Sequence, residues 1–319
     1  MKRFLVATIA LMLVSSVTEL GAQVKVRFMP QWCPQAQFAG YYIAWERGFF
    51  TEEGLDVEIV PTSPYARYNV SEYLRNGEVD IITLPLAQAI RNHSADFDIV
   101  NVLQTIQKSG FCIISKNPIK DFKDLEGQKV ISWSRGFAES AVIAMHEQRV
   151  NIQWIPSLAG MALFISGAAD ATMAYSYSEL VRLKFAVGGI PDENILYFRD
   201  KGYNYPEDGV YVKRSYYKNN ADTVKKFVKA VKRGWEYASA HPEEAAKCTV
   251  RQAALAGIRE SPYIQEEMVK EMLNLMTNPS SGRIDFAAPS ADVVKQIQKK
   301  LNEAGLVTDN VEYEKLIMQ

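Results

Sequence analysis

The sequence predicts an α/β protein of two lobes, each a mainly parallel sheet flanked by helices, and three observations lead there. Short apolar runs alternate with helical stretches that end at Gly or Pro, the pattern of parallel strands joined by helices. Near residue 105 two apolar runs follow one another with only a polar turn between them, so the chain passes there from one sheet to another. Finally, Gly77, Asp80, Leu84 and Pro85 align with Gly167, Asp170, Ala174 and Tyr175, a short repeat that puts two strands at equivalent places in two sheets.

The elements follow in order. Val24, Val26 and Phe28 alternate with Lys25 and Arg27 and stop at Pro30, giving a first strand. Phe38, Tyr41, Tyr42, Trp45 and Phe49 recur at helical spacing, with Gly48 placed to end the helix in the left-handed conformation. Leu55, Val57 and Ile59 form a second strand, Val70, Tyr73 and Leu74 a helix stopped by Gly77, and residues 79–84 a third strand. Residues 99–106 and 111–115 are the crossing strands. The second lobe repeats the plan: strand 129–133, helix 138–148, strand 151–155, helix 158–166, strand 171–174, helix 178–187 and strand 195–198. Strand 210–213 returns to the first lobe. Val224, Phe227, Val228, Val231 and Trp235 then form a helical stripe that His241 and Pro242 terminate, and helices over 263–276 and 291–302 complete a scaffold clamping the first lobe. Lobe one is therefore expected over 23–107 and 209–319, and lobe two over 108–208.

Composition narrows the function. The chain has 319 residues, 36 Lys and Arg against 37 Asp and Glu, and 48% hydrophobic residues, which excludes a disordered tail and a polytopic membrane protein. A net charge of −1 supplies no excess of cations to displace counterions from phosphates, so no nucleic-acid partner is expected. Lys2 and Arg3 precede the apolar run Phe4 to Val14, and Ala22 offers a small residue at a cleavage point. Residues 1–22 therefore read as an export signal too short to span a bilayer. No Cys stands where a lipid would be attached, so a freely soluble, periplasmic monomer is expected. Cys33, Cys112 and Cys248 are scattered, without a Cys-x-x-Cys pair, and read as small hydrophobes that suggest no metal site.

Enzymatic motifs are missing. There is no Gly-x-Ser-x-Gly elbow, no His-Glu-x-x-His and no phosphate-binding Gly-rich loop, and His93, His146 and His241 sit in no recognisable catalytic setting. No catalytic residue is assigned and no cofactor is expected. Ligands of open α/β sheets bind beyond the carboxyl ends of the strands. That rule selects Trp32 and Phe38 after the first strand and Leu84 and Pro85 after the third. In the second lobe it selects Trp133 and Phe137, then Tyr175 and Tyr177. Rings from both lobes could sandwich a planar solute. Arg135 could hold an anionic group, and Glu179 could accept a hydrogen bond from a ligand donor or simply favour a helix start. Tyr41 is a further candidate, although its spacing with Trp45 assigns at least one of Tyr41 and Tyr42 to the core.

Trp32, Pro34 to Ala44, Gly48 to Phe50 and Glu53 to Val57 resemble the opening of the solute-binding proteins of ABC importers related to thiamine-pyrimidine-precursor and alkanesulfonate binders. Asp124 to Val130 resembles that family's second-lobe start, and Asn204 to Tyr211, which contains the further candidate Asp208, its return segment. The resemblance implies the periplasmic-binding-protein fold of the two-crossover kind (type II), a small-molecule ligand held by hinge closure, and a membrane permease as partner. It points first to a heteroaromatic vitamin precursor and second to a sulfonate or other small organic acid. The pyrimidine-precursor binders resemble Pro-Asn-x-x-His-x-Gly-x-Tyr-x-Ala here, whereas this chain has Gln35 for the Asn and Phe38 for the His. Pyrimidine-synthesising relatives on the same fold consume their own histidine and a bound pyridoxal phosphate. They carry a cysteine-rich iron motif that this sequence lacks.

Overall fold

The computed structural model describes residues 22–62, 69–94, 96–133, 138–157 and 160–319, so the expected export signal, but for Ala22, lies outside the described residues. Among the described residues no helix is long and apolar enough to cross a membrane.

Alternation makes β1 (Val24–Met29) a strand with one dry side: Val26 and Phe28 are fully buried while Lys25 stays exposed. It pairs in parallel with β2 (Leu55–Ile59) on one side and β3 (Ile81–Leu84) on the other. The chain continues through β4 (Ile99–Ile106) and leaves for a second sheet at β5 (Phe111–Ser115). There β6 (Lys129–Ser132), β7 (Gln153–Pro156), β8 (Ala171–Tyr175) and β9 (Ile195–Tyr197) follow, before β10 (Glu207–Lys213) returns to the first sheet. The strand orders are β2-β1-β3-β10-β4 and β7-β6-β8-β5-β9. In each sheet the fourth strand comes from a crossing and is the one antiparallel member.

The Gly-to-Asp repeat has a structural basis. Gly77 and Gly167 both have positive φ, 75° and 79°. Asp80 accepts the Arg27 N–H (2.8 Å) and returns its own N–H to the Arg27 carbonyl (2.9 Å), which locks β3 beside β1. Asp170 does the same with Lys129, at 2.8 and 2.9 Å, and locks β8 beside β6.

Three elements differ from the sequence reading. The return strand starts at Glu207 rather than Val210, because Asp208 adopts a φ of 57° that the alternation pattern does not encode. Pro242 does not merely end helix Ala221–Ala240; it opens a further helix, Pro242–Leu255, since its ring suits a first helical turn as well as it blocks an interior one. Helix Ala291–Glu303 does not clamp the first lobe alone. Its Val294, Ile297 and Leu301 share a core with Leu86 and Ile90 of helix Leu86–Asn92 and with Ala141 and Ala144 of helix Glu139–Gln148, and Lys300 pairs with Glu147 at 2.8 Å.

Candidate functional site

Past the end of β1 the chain makes a tight turn before helix Ala39–Glu46, and two side chains hold it. The Gln31 N–H donates to Thr83 Oγ1 (3.0 Å), and the Ala36 N–H donates to Gln265 Oε1 (2.6 Å) on helix Pro262–Met276. This turn buries three glutamines, Gln31, Gln35 and Gln37. Buried amides need partners, and Asp208 supplies them: Gln31 Nε2 donates to Asp208 Oδ1 (2.6 Å), and Gln37 Nε2 lies 3.0 and 2.9 Å from the two carboxylate oxygens. The Asp208 backbone is fixed in turn by Thr105 Oγ1, which donates to its carbonyl (2.7 Å).

From the second sheet, β8 ends at Tyr175 and passes into Ser176–Leu180, a single turn of π pitch. Such wide turns re-aim side chains and recur at binding sites. Tyr175 stacks on Tyr177 (5.2 Å, 28°) and lies 5.5 Å from Trp133, which follows β6. The Tyr175 N–H donates to Glu179 Oε2 (3.0 Å), and burial pushes the Glu179 carboxyl above its ordinary value while that N–H pulls it back.

These two surfaces meet. Gln31, Trp32, Gln35 and Gln37 from the first and Trp133, Tyr175, Tyr177, Ser178 and Glu179 from the second line one narrow recess. A wider trough continues past Trp32, Trp133 and Glu179 to Cys33 and Arg182. Hydrogen bonds cross between the walls: Ser178 Oγ donates to Gln35 Oε1 (3.2 Å), and Gln37 Nε2 lies 3.3 Å from the Tyr177 hydroxyl. In the wall of the wider trough, Arg182 forms a two-pronged pair with Glu260 (3.0 and 2.8 Å), and elsewhere Arg91 reaches the buried Glu139 at 2.7 Å.

Of the residues the sequence selects, Trp32, Trp133, Tyr175, Tyr177 and Glu179 line the recess, and Asp208 stands directly behind its glutamines. Phe38, Tyr41, Leu84 and Pro85 do not line it. Phe38 and Tyr41 belong to the core of the first sheet, where Tyr41 stacks on Phe28 at 4.8 Å. Leu84 is fully buried, and Pro85 is buried at the start of helix Leu86–Asn92. The strand-end rule points to the loops after β1, β6 and β8, which reach the recess, and to the one after β3, which does not, and it does not say which side chains turn inward. Arg135 and Phe137 lie outside the described residues. The sequence reading assigned no role to Gln31, Gln35, Gln37 or Ser178. The available signal was three amides spaced along an otherwise apolar turn. Cys33, Cys112 and Cys248 are all buried free thiols.

Comparison with known proteins places this geometry. A formylaminopyrimidine-binding protein of Halalkalibacterium halodurans is 25% identical over 80% of this chain and 78% of its own length. A 4-amino-5-hydroxymethyl-2-methylpyrimidine phosphate synthase of Saccharomyces cerevisiae is 25% identical over 70% of this chain and 69% of its own. Among solved structures, the periplasmic aliphatic sulphonate binding protein SsuA of Escherichia coli superposes with a TM-score of 0.68 at 16% identity, covering 92% of each chain, which establishes the periplasmic-binding-protein fold. The NMT1/THI5-like family model matches residues 35–245, about two thirds of the sequence, and the chain belongs to that family.

Proposed function

We propose that the chain is the periplasmic solute-binding component of an ABC importer, a monomer that closes its two lobes over a small planar heteroaromatic solute and delivers it to a membrane permease. The recess between the sheets carries this reading: Trp32 stands on one wall and Trp133, Tyr175 and Tyr177 on the other. Aromatic faces attract a flat ring, each stacked pair adding about 0.5–1.5 kcal/mol beyond burial. The trough that continues from the recess holds about 420 Å³, within the range of small-molecule sites.

Two chain crossings join the sheets, residues 107–110 and 198–206, and these are the natural hinge. A solute that touches both walls binds the closed form better than the open one and shifts the population toward it. The relative that binds a formylaminopyrimidine supports a pyrimidine-type solute. A sulfonate is the second reading: no Lys or Arg is among the described residues lining the smaller recess, but Arg182 and Arg259 line the wider trough. An enzymatic role like that of the yeast relative would need a reactive histidine at the solute. His93, His146 and His241 are not among the residues lining either part of the recess.

The test is a thermal-shift screen with aminopyrimidines, flavins, nucleobases and sulfonates. A solute at 100 times its dissociation constant stabilises the native state by about 2.7 kcal/mol, so a true ligand should raise Tm by several degrees. Trp133→Ala and Tyr175→Ala are expected to weaken the best hit at least tenfold by calorimetry. Unchanged affinity in both variants would remove the aromatic recess from consideration as the binding site.

A further inference from the structure

The polar side of the recess has a direction. Gln31 is more than nine-tenths buried and lines the recess, and its Nε2 is committed to Asp208 Oδ1 at 2.6 Å. Its other terminal atom, Oε1, is buried and has no hydrogen-bond partner among the described residues. Leaving such an acceptor unpaired is costly, on the order of 1–3 kcal/mol. In a binding cleft the solute is the natural partner.

Which end of that amide faces the solute is decided behind the wall. A carboxylate only accepts, so it turns the NH2 groups of both Gln31 and Gln37 toward itself. The choice then propagates: with its Nε2 facing Asp208, Gln37 presents Oε1 to Gln35 Nε2 (2.8 Å), and Gln35 presents Oε1 to Ser178 Oγ (3.2 Å) on the opposite wall. A single acidic side chain thereby sets the donor and acceptor sense of a line of amides that runs across the cleft. Asp208 is also suited to its backbone conformation: its φ of 57° is one that Asp and Asn tolerate and most other residues resist.

We propose that Asp208 is a positioning residue for specificity: it turns Gln31 Oε1 toward the solute, so that the recess selects a ring bearing an N–H donor at that edge. This rests on the reading of the recess as a site for planar heteroaromatic solutes and adds what it demands of the solute's edge. Glu179, on the facing wall, is an acceptor of the same sense.

Asp208→Asn keeps the shape and the tolerated backbone conformation but introduces a donor where Gln37 and Gln31 expect only acceptors, so at least one amide must turn. The experiment compares 4-amino-2-methylpyrimidine with 2,4-dimethylpyrimidine, which replaces the amine by a methyl of similar size. Titrations run at about pH 8.5, on the full-length protein, Asp208→Asn and Gln31→Met, with circular dichroism to confirm folding. The wild type should bind the amine at least tenfold more tightly, since a site built to accept an N–H rejects the analogue lacking it. That ratio should fall below about threefold in Asp208→Asn and in Gln31→Met, whereas a general loosening of the fold would weaken both compounds alike and leave the ratio intact. A folded Asp208→Asn that keeps the full ratio overturns the proposal. Equal binding of the two pyrimidines by the wild type overturns it while leaving the aromatic recess standing. Failure of the wild type to bind either overturns it, and the reading of the recess falls as well if no flavin or nucleobase binds in the same titrations.

Discussion

Glu207 and Asp208 begin β10 side by side, both buried, and neither has an ion-pair partner among the described residues. Burial pushes Glu207 from 4.5 up to about 8 and Asp208 from 3.8 up to about 7, opposed by the Ser109 hydroxyl on Glu207 and by the two glutamine amides on Asp208. A carboxyl that holds its proton more tightly when folded contributes stability at low pH. That contribution disappears as pH rises from the unfolded value through the folded one. The Tm of the ligand-free protein should therefore carry a downward component between about pH 4 and 8 from these two groups. Glu207→Gln should flatten the curve of Tm against pH over that window; an identical slope in the variant and the parent would show that folding leaves the Glu207 carboxyl unshifted. The neutral side chain should also retain the contact with Ser109 Oγ that ties the outgoing crossing to the returning one.

Among elements, helix Ala39–Glu46 and helix Ala221–Ala240 approach closely where they cross. A Cβ on Gly234 would lie 2.0 Å from the Gly40 carbonyl oxygen, and one on Gly40 would lie 2.3 Å from the Trp235 indole. Neither helix can yield easily, because Trp235 is fully buried and Tyr41 meets it edge-on at 6.2 Å. Gly234→Ala should lower the urea midpoint by the equivalent of about 1–3 kcal/mol at unchanged m-value. A midpoint within experimental error of the parent would mean that the two backbones can separate. The Trp235 stripe is plain in the sequence because apolar residues recur with helical period, and the strands are plain because β1 and β2 alternate. Helix Pro242–Leu255 was hidden because its buried face is largely Ala, with Cys248 and Thr249, which gives little periodic contrast. At the site, aromatic side chains at strand ends were legible. The glutamines were not, since an amide after a strand reads as a solvated loop until a buried carboxylate from a residue 177 positions away is seen to engage it.

For the whole molecule, one ion pair in the wall of the wider trough spans the two lobes. Arg182 and Glu260 are mostly buried, with side-chain exposures of 22% and 7%, and they join the helix after β8 to the segment before helix Pro262–Met276. Removing one partner of such a pair costs about 2–5 kcal/mol, much of it from the charge left behind. Arg182→Met should thus enlarge the radius of gyration of the ligand-free protein in solution scattering and weaken solute binding tenfold or more. A scattering profile superimposable on the parent's would show that this pair does not act as a latch. The two-sheet architecture and its crossing near residue 105 follow from the order of apolar runs. The bridging by helix Ala291–Glu303 does not, since its amphipathic pattern records that one face is buried but not that two surfaces share it.

The clasp that Asp80 makes with Arg27, and Asp170 with Lys129, sits at the start of a strand, whereas the recess opens at the other end, past Met29, Ser132 and Tyr175. In the second sheet, mechanical integrity and molecular recognition thereby fall at opposite ends of β6 and β8. Substitutions at the recognition pole can retune which compound is gathered without loosening the joint that keeps each sheet assembled, so one scaffold can be re-addressed to new cargo by changing a handful of loop residues.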